Sequence, residues 1–249
     1  MRSNLILTGG INHDFLDTAH AIAEVLAEAQ FRSTIVDDLS AGFKMLDDSD
    51  FDLVTLFALR WRMLDDDKYI PDRARWAYEI SDRDRHILSD HVINGGGLLG
   101  LHTAAICFDT WPEWPELLGA AWVWRETFHP PPAELLVRKA GDHAVTRGLE
   151  DFLVIDELYH HLWSSPNSRP LLVTESADDG SQQQIAFASE ASGGRVVYSA
   201  LGHDRESVTT KGHARFLQQA ANWCAPAYRS RPDTPKTSRR FPASWLYRP

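Results

Sequence analysis

Three short apolar runs, Asn4–Thr8 (NLILT), Phe51–Phe57 (FDLVTLF) and Leu98–Leu101 (LLGL), carry almost no polar interruption. A strand with one face in water alternates polar and apolar residues, so runs of this kind fit strands covered on both faces. Parallel sheets are buried in that way because their crossover helices pack on both sides. Arg32–Asp37 (RSTIVD) reads as one more such strand. Between the strands, Phe15, Ala19, Ile22, Leu26 and Ala29 recur at helical spacing, with Asp14 or Asn12 placed to cap the start. Ser81-Asp82-Arg83-Asp84 opens a second helix that runs to about Ile93 and stops at Gly95-Gly96-Gly97. This β-α-β order predicts one α/β domain built on a doubly wound, mostly parallel sheet.

The second half is richer in strands. Ala133–Lys139, Phe152–Glu157, Pro170–Glu175, Gln184–Ser189 and Arg195–Leu201 are expected as strands, with Gly193-Gly194 as a hairpin turn. They form a β-rich insertion before a final helix over Ser207–Trp223. The charged and aromatic segment 60–78 reads as an excursion over the strand ends. The expected domain covers residues 1–225. Residues 226–249 form a Pro- and Arg-rich tail whose Phe241, Trp245 and Tyr247 are expected to anchor it on the body or on a second subunit, making a homo-oligomer.

Bulk properties narrow the function classes. The net charge of −10 argues against nucleic acid, which demands a basic face, and against an anionic membrane surface. No run approaches the roughly 20 apolar residues of a spanning helix. The start of the chain lacks a signal-peptide pattern, and two distant cysteines make no disulfide framework. A cytoplasmic protein is the expectation.

The histidines are placed more tellingly than they are counted. His13 follows the first strand, His102 ends Leu98–Leu101, and His203 follows Arg195–Leu201. The carboxyl ends of parallel strands share one edge, where ligands bind, so these three should converge. A polar side chain directly after an apolar strand costs free energy when buried without a partner. Small neighbours of His102, namely Gly100, Thr103, Ala104 and Ala105, leave room for a ligand. His129 lies in WRETFHPPP after Trp124, Arg125 and Glu126, and Asp156, Glu157, Tyr159, His160 and His161 close a strand in IDELYHHLW. Glu157 reads either as an acid/base group or as an ion-pair partner of Arg125 or Arg205. Trp111, Trp114, Trp122, Trp124 and Trp163 serve either the core or an aromatic floor suited to a sugar ring. His143 is expected in a turn role, and His20, His86, His91 and His213 as capped or solvated residues. Two chemistries fit the set. Imidazoles with a carboxylate can hold zinc or another divalent ion, with His102, His129 and His203 as candidate ligands. Alternatively His and Glu act directly as general base and acid. No nucleotide cofactor is expected.

The blocks GGINHD, NGGGLLGLHTAA, LLGAAWVWRETFHP, HAVTRGLEDFLVIDELY and RVVYSALGHDRES, in this order over about residues 4–224, resemble the ThuA-like (trehalose utilisation) family. That family looks like a branch of the class I glutamine amidotransferase-like superfamily, which implies a flavodoxin-like sheet. True amidotransferases carry a cysteine nucleophile at the corner after this strand. Here Leu101-His102-Thr103 occupies it, and Cys107 lies five residues further on, so thiolate-dependent glutamine hydrolysis is not expected. The resemblance implies an enzyme acting on a disaccharide, a glycoside or a 3-keto-sugar derivative, as a hydrolase, lyase or isomerase. The catalytic candidates are His102, Glu157 and His203. His13, Asp14, Trp124, Glu126, Tyr159 and Asp204 are candidates for holding substrate. Two other readings stand beside it: a non-catalytic sugar-binding or regulatory subunit, and a hydrolase using Cys107.

Overall fold

The structure is a computed structural model that describes residues 1–191 and 193–225. The tail at 226–249, with its expected anchoring and oligomer contacts, lies outside the described residues.

The first strand, β1 (Arg2–Gly9), is followed by α1 (Phe15–Glu28), whose first turn is capped by the Asp14 carboxylate accepting from the Asp17 N–H. Strand β2 (Phe31–Val36), helix α2 (Leu39–Asp48) and strand β3 (Leu53–Ala58) come next. The helix α2 was not expected, because Gly42 interrupts its short apolar pattern. The glycine is there for packing: a Cβ on it would lie 2.2 Å from Leu7 Cδ2. The segment 60–78 holds a 3₁₀ turn at Asp67–Tyr69 and helix α3 (Ile70–Trp76). Helix α4 (Asp82–Ile93) starts where Ser81 accepts from the Asp84 N–H, and β4 (Gly97–Leu101) follows it.

A 3₁₀ turn over His102–Ile106 leads to α5 (Trp114–Leu118) and the two-residue strand β5 (Ala120–Ala121). Then come β6 (Ala133–Lys139), β7 (Phe152–Asp156), β8 (Trp163–Ser164), β9 (Arg169–Glu175), β10 (Gln182–Ala191) and β11 (Gly194–Ser199). The expected final helix is two: α6 (Arg205–Thr209) and α7 (Lys211–Cys224). Thr210 separates them because its backbone, at ψ 125°, leaves the helical region.

Nine strands form one sheet in the order β2-β1-β3-β4-β11-β10-β9-β6-β7. The first five run parallel, in the 2-1-3-4-5 order of flavodoxin-like sheets. The remaining pairings are antiparallel. The parallel half is apolar on both faces: Leu5, Ile6, Leu7, Val54, Leu56, Leu98 and Leu99 are fully buried. The carboxyl ends of β1, β4 and β11 therefore meet at one rim. Strand β7 runs in the same sense, and the β6–β7 hairpin joins β9 in register at Arg138↔Val173 and Lys139↔Leu172. Trp111 and Trp114 belong to the core and not to an aromatic floor; Phe108 packs edge-on to Trp114 with centroids 5.0 Å apart.

Candidate cation and acid–base site

His102 stands where the chain leaves β4. It is fully buried and its φ is +49°, in the left-handed region that costs an ordinary residue about 1–2 kcal/mol. The neighbours hold it there. Tyr198 donates its hydroxyl to the His102 carbonyl at 2.9 Å, and Thr103 donates to Ala58 O at 2.7 Å. The ring is aimed by a third contact, Nδ1–H donating to Ala200 O at 2.6 Å.

Around this ring the predicted partners assemble. His13 Nε2 lies 3.1 Å from His102 Nε2, and Glu157 Oε2 lies 3.3 Å from the same atom. His203 Nδ1 is 3.4 Å from Glu157 Oε1. One ligand atom from each of His13, His102, Glu157 and His203 fits within 4.8 Å of every other. The Tyr159 hydroxyl, also buried, donates to His102 Nε2 at 3.1 Å. The convergence expected of His13, His102 and His203 at one rim is thus observed, with Glu157 brought in from β7.

Two backbone carbonyls decide what this group can hold. A carbonyl only accepts, so Ala200 O places the His102 proton on Nδ1, and Ile11 O, 3.3 Å from His13 Nδ1, does the same for His13. These tautomers follow from the hydrogen-bond network. Each neutral ring then turns an Nε2 lone pair inward, toward the other and toward a carboxylate. The Tyr159 hydroxyl answers one of these lone pairs, and the close approach of the remaining lone pair and the carboxylate favours entry of a proton or a metal ion. Three separations, 3.1, 3.3 and 3.4 Å, the last two to different oxygens of Glu157, lie near the edge of about 3.3 Å that zinc bonds of about 2.0–2.1 Å generate in a tetrahedron, and the four ligand atoms together spread over no more than 4.8 Å. The residues therefore fit a zinc-like ion, and carbonyl-oriented imidazoles are the usual support for one.

The charge balance agrees. Burial acts to raise the Glu157 carboxyl, but the imidazoles of His102, His203 and His129 around it overcome that and hold the group well below the usual carboxylate range. The bond to Glu157 raises His203 above its ordinary 6.5. Burial, reinforced by the His102 charge, lowers His13 to about 4.

Some expectations need correction. His129 is not in the four-membered group, and His13 takes its place. His129 Nδ1 stands 3.4 Å from Glu157 Oε1 on the outer side, and its side chain is 37% exposed. Neither Arg125 nor Arg205 pairs with Glu157: Arg205 binds Asp17 and Glu24 instead, and Arg125 is exposed in its turn. Asp14 and Asp204 are helix caps, Asp204 accepting from the Ser207 N–H at 2.9 Å. Glu126 is exposed. His213 is neither capped nor solvated; it is fully buried in α7 with Nδ1 bonded to Ser207 O at 3.0 Å. His91 is half-buried, with Nε2 bonded to Gly97 O. His143 has its turn role, capping the 3₁₀ helix Ala144–Thr146. Cys107 is sealed beneath the rim, with Sγ bonded to Ala58 O at 3.1 Å, and burial pushes its thiol up to about 12. A thiolate nucleophile there has no support.

The aromatic wall is real but differently composed. Trp122 meets Tyr159 edge-on at 5.0 Å and His129 at 5.9 Å, and Trp124 stacks on Trp61 at 6.0 Å. Tyr69 closes the row against both Trp61 and Trp124. Trp61 and Tyr69 come from the excursion 60–78, whose weak periodicity concealed them.

Comparison with known proteins gives a consistent picture. The profile of the family described as trehalose utilisation (ThuA) matches residues 4–224. A ThuA-like protein from Parabacteroides merdae shares the fold with TM-score 0.70 at 20% identity, over 90% of both chains. A cytoplasmic protein from Salmonella typhimurium aligns with TM-score 0.58 at 11% identity, over 90% of this chain and 99% of that one. A β-galactosidase from Rahnella sp. R3 aligns with TM-score 0.56 at 15% identity, over 89% of this chain but 31% of the enzyme. No curated protein matches the chain. Among the described residues no helix is long and apolar enough to cross a membrane.

Proposed function

This chain belongs to the ThuA (trehalose utilisation) family, and on that premise we propose that it is a carbohydrate-metabolism enzyme whose centre is a divalent cation, zinc by its donor set, held by His13, His102, Glu157 and His203. The substrate is a glycoside or a keto-sugar derivative. One observation carries the reading: two imidazole nitrogens, turned inward by Ile11 O and Ala200 O, stand 3.1 Å apart, and a buried carboxylate lies 3.3 Å from that of His102.

Bound zinc supplies Lewis-acid polarisation of a carbonyl or a water of lowered pKa. The remaining work falls to the side chains. Trp122 and Trp124, both half-buried, offer apolar faces to a sugar ring beside the group. The Tyr159 hydroxyl orients a substrate oxygen. A keto-glycoside carries an acidic C–H beside its carbonyl, so one base at that carbon suffices to start isomerisation or expulsion of the aglycone. His129, at the outer oxygen of Glu157 and open to solvent, is placed to exchange that proton with water.

The test is turnover of a panel of glycosides and 3-keto-glycosides by chelator-treated protein, before and after one equivalent of Zn²⁺. Turnover is expected only after Zn²⁺ is restored. Undiminished turnover without metal contradicts the cation, and no turnover of any sugar by loaded protein contradicts the substrate class. Uptake also has an expected pH dependence. His203, raised above 6.5 by Glu157, holds a proton that the metal must displace. Apparent affinity therefore strengthens as pH rises, by about tenfold per unit for one released proton, and levels off above the raised value. An affinity flat between pH 5.5 and about 8 counts against it.

A further inference from the structure

The group above comes from four separate segments, and Glu157 arrives on a hairpin tied to its neighbouring strand by two register pairs. Those pairs involve Arg138 and Lys139, at the end of β6 away from Ala133↔Asp156, so Glu157 needs a contact close by to be fixed opposite His203. We propose that Asp156 is that positioning residue, an inference that rests on the cation reading above.

Asp156 ends β7 and is fully buried. Its Oδ1 accepts the backbone N–H of Glu157 at 2.7 Å. Its Oδ2 accepts the backbone N–H of Gly202 at 2.7 Å and the Ser207 hydroxyl in a short bond. Glu157 and Gly202 are the neighbours that matter: one is the carboxylate ligand, and the other directly precedes His203. A single carboxylate thus clamps the backbone on both sides of the Glu157–His203 contact. Gly202 sits at φ +119°, where a side chain is strained, so the loop has one narrow path that brings its N–H to Asp156. Ser207 fixes the clamp from α6 and is itself held, because its carbonyl accepts from His213 Nδ1 at 3.0 Å.

All three donors to Asp156 are neutral. A buried carboxylate without a cation beside it costs free energy, and an asparagine of the same shape would avoid that cost. Asparagine fails here for a geometric reason. Both carboxylate oxygens accept from N–H or O–H groups, and an amide nitrogen in either place would face a donor. The arrangement specifies a two-sided acceptor spanning the two loops.

The test compares Co²⁺ binding, followed by its visible absorption, in wild type, Asp156→Asn, Ser207→Ala and Val154→Ala. Val154 is a buried apolar residue of the same strand, and its truncation is a control for lost stability alone. Asp156→Asn is expected to weaken Co²⁺ binding by about 10- to 100-fold, as loss of a supporting contact does at metal sites, and to alter the absorption band. Ser207→Ala, which removes one donor, is expected to weaken it less and carries the test if Asp156→Asn does not fold. Val154→Ala should lower Tm and leave affinity within twofold. Asp156→Asn and Ser207→Ala both binding as wild type does, or Val154→Ala weakening binding equally, overturns the proposal. If wild type takes up no Co²⁺, the cation reading falls, and the imidazole ¹⁵N spectrum of the metal-free protein decides the positioning role. A His203 resonance shifted in Asp156→Asn and Ser207→Ala supports it, and an unshifted one overturns it.

Discussion

His102→Ala abolishes zinc binding and sugar turnover together while leaving a folded protein. This ring meets His13, Glu157 and Tyr159 through a single nitrogen, so its removal touches three groups of the site at once. Its loss removes one of four ligands and also frees His13 and Glu157 to relax apart. Affinity should fall by more than the roughly 100-fold that a supporting contact alone can cost. Turnover should fall by about 10³-fold or more, which corresponds to about 4 kcal/mol of lost transition-state stabilisation. The fold survives because Glu157 keeps His203 and His129 as partners. The deleted ring leaves Ala200 O without its donor, at a cost of about 1–3 kcal/mol. Isothermal titration with Zn²⁺, turnover and circular dichroism on one preparation check the result. A variant that binds zinc within tenfold of wild type contradicts the assignment of His102.

Gly194→Ala is expected to unfold the protein at markedly lower urea. The glycine begins β11 beside β4 and the last turn of α4. A Cβ there would lie 2.1 Å from Val92 O and 2.9 Å from Gly96 O. Both are backbone atoms, so no rotamer change relieves the clash. Either α4 or β11 must move, and both are packed in the core. Overpacking of this kind costs typically about 1–3 kcal/mol, and a rigid backbone contact sets the expectation at about 3 kcal/mol or more. The functional consequence follows from topology: β11 seated next to β4 is what places His203 beside His102. The urea midpoint should drop with little change in slope. An unchanged midpoint shows that the strand tolerates the methyl and that the close approach is not a constraint.

The parallel half of the sheet was legible because both-face burial leaves a direct trace in composition, as in NLILT and LLGL. The meeting of His13, His102 and His203 followed from one rule, that parallel strands end at a shared edge. Other features leave no such trace. That His13 rather than His129 joins the four-membered group goes with which carbonyl each ring faces, Ile11 O for one and Pro130 O for the other. Asp14 and Asp204 follow strands closely enough to look like pocket residues, yet each opens a helix, and a carboxylate suits either place. Glu157 reaches the site on a hairpin folded back from the far edge, and no local periodicity encodes that return. The helix α2 was hidden by Gly42, whose reason lies in a tertiary contact with Leu7.

The most direct test of the cation centre is an anomalous difference map at the zinc edge from a crystal of the zinc-loaded protein. One strong peak is expected, bonded by His13 Nε2, His102 Nε2, the Glu157 carboxylate and the His203 imidazole at about 2.0–2.2 Å. A zinc-loaded crystal with no peak among these four residues, or with the metal held elsewhere, contradicts it.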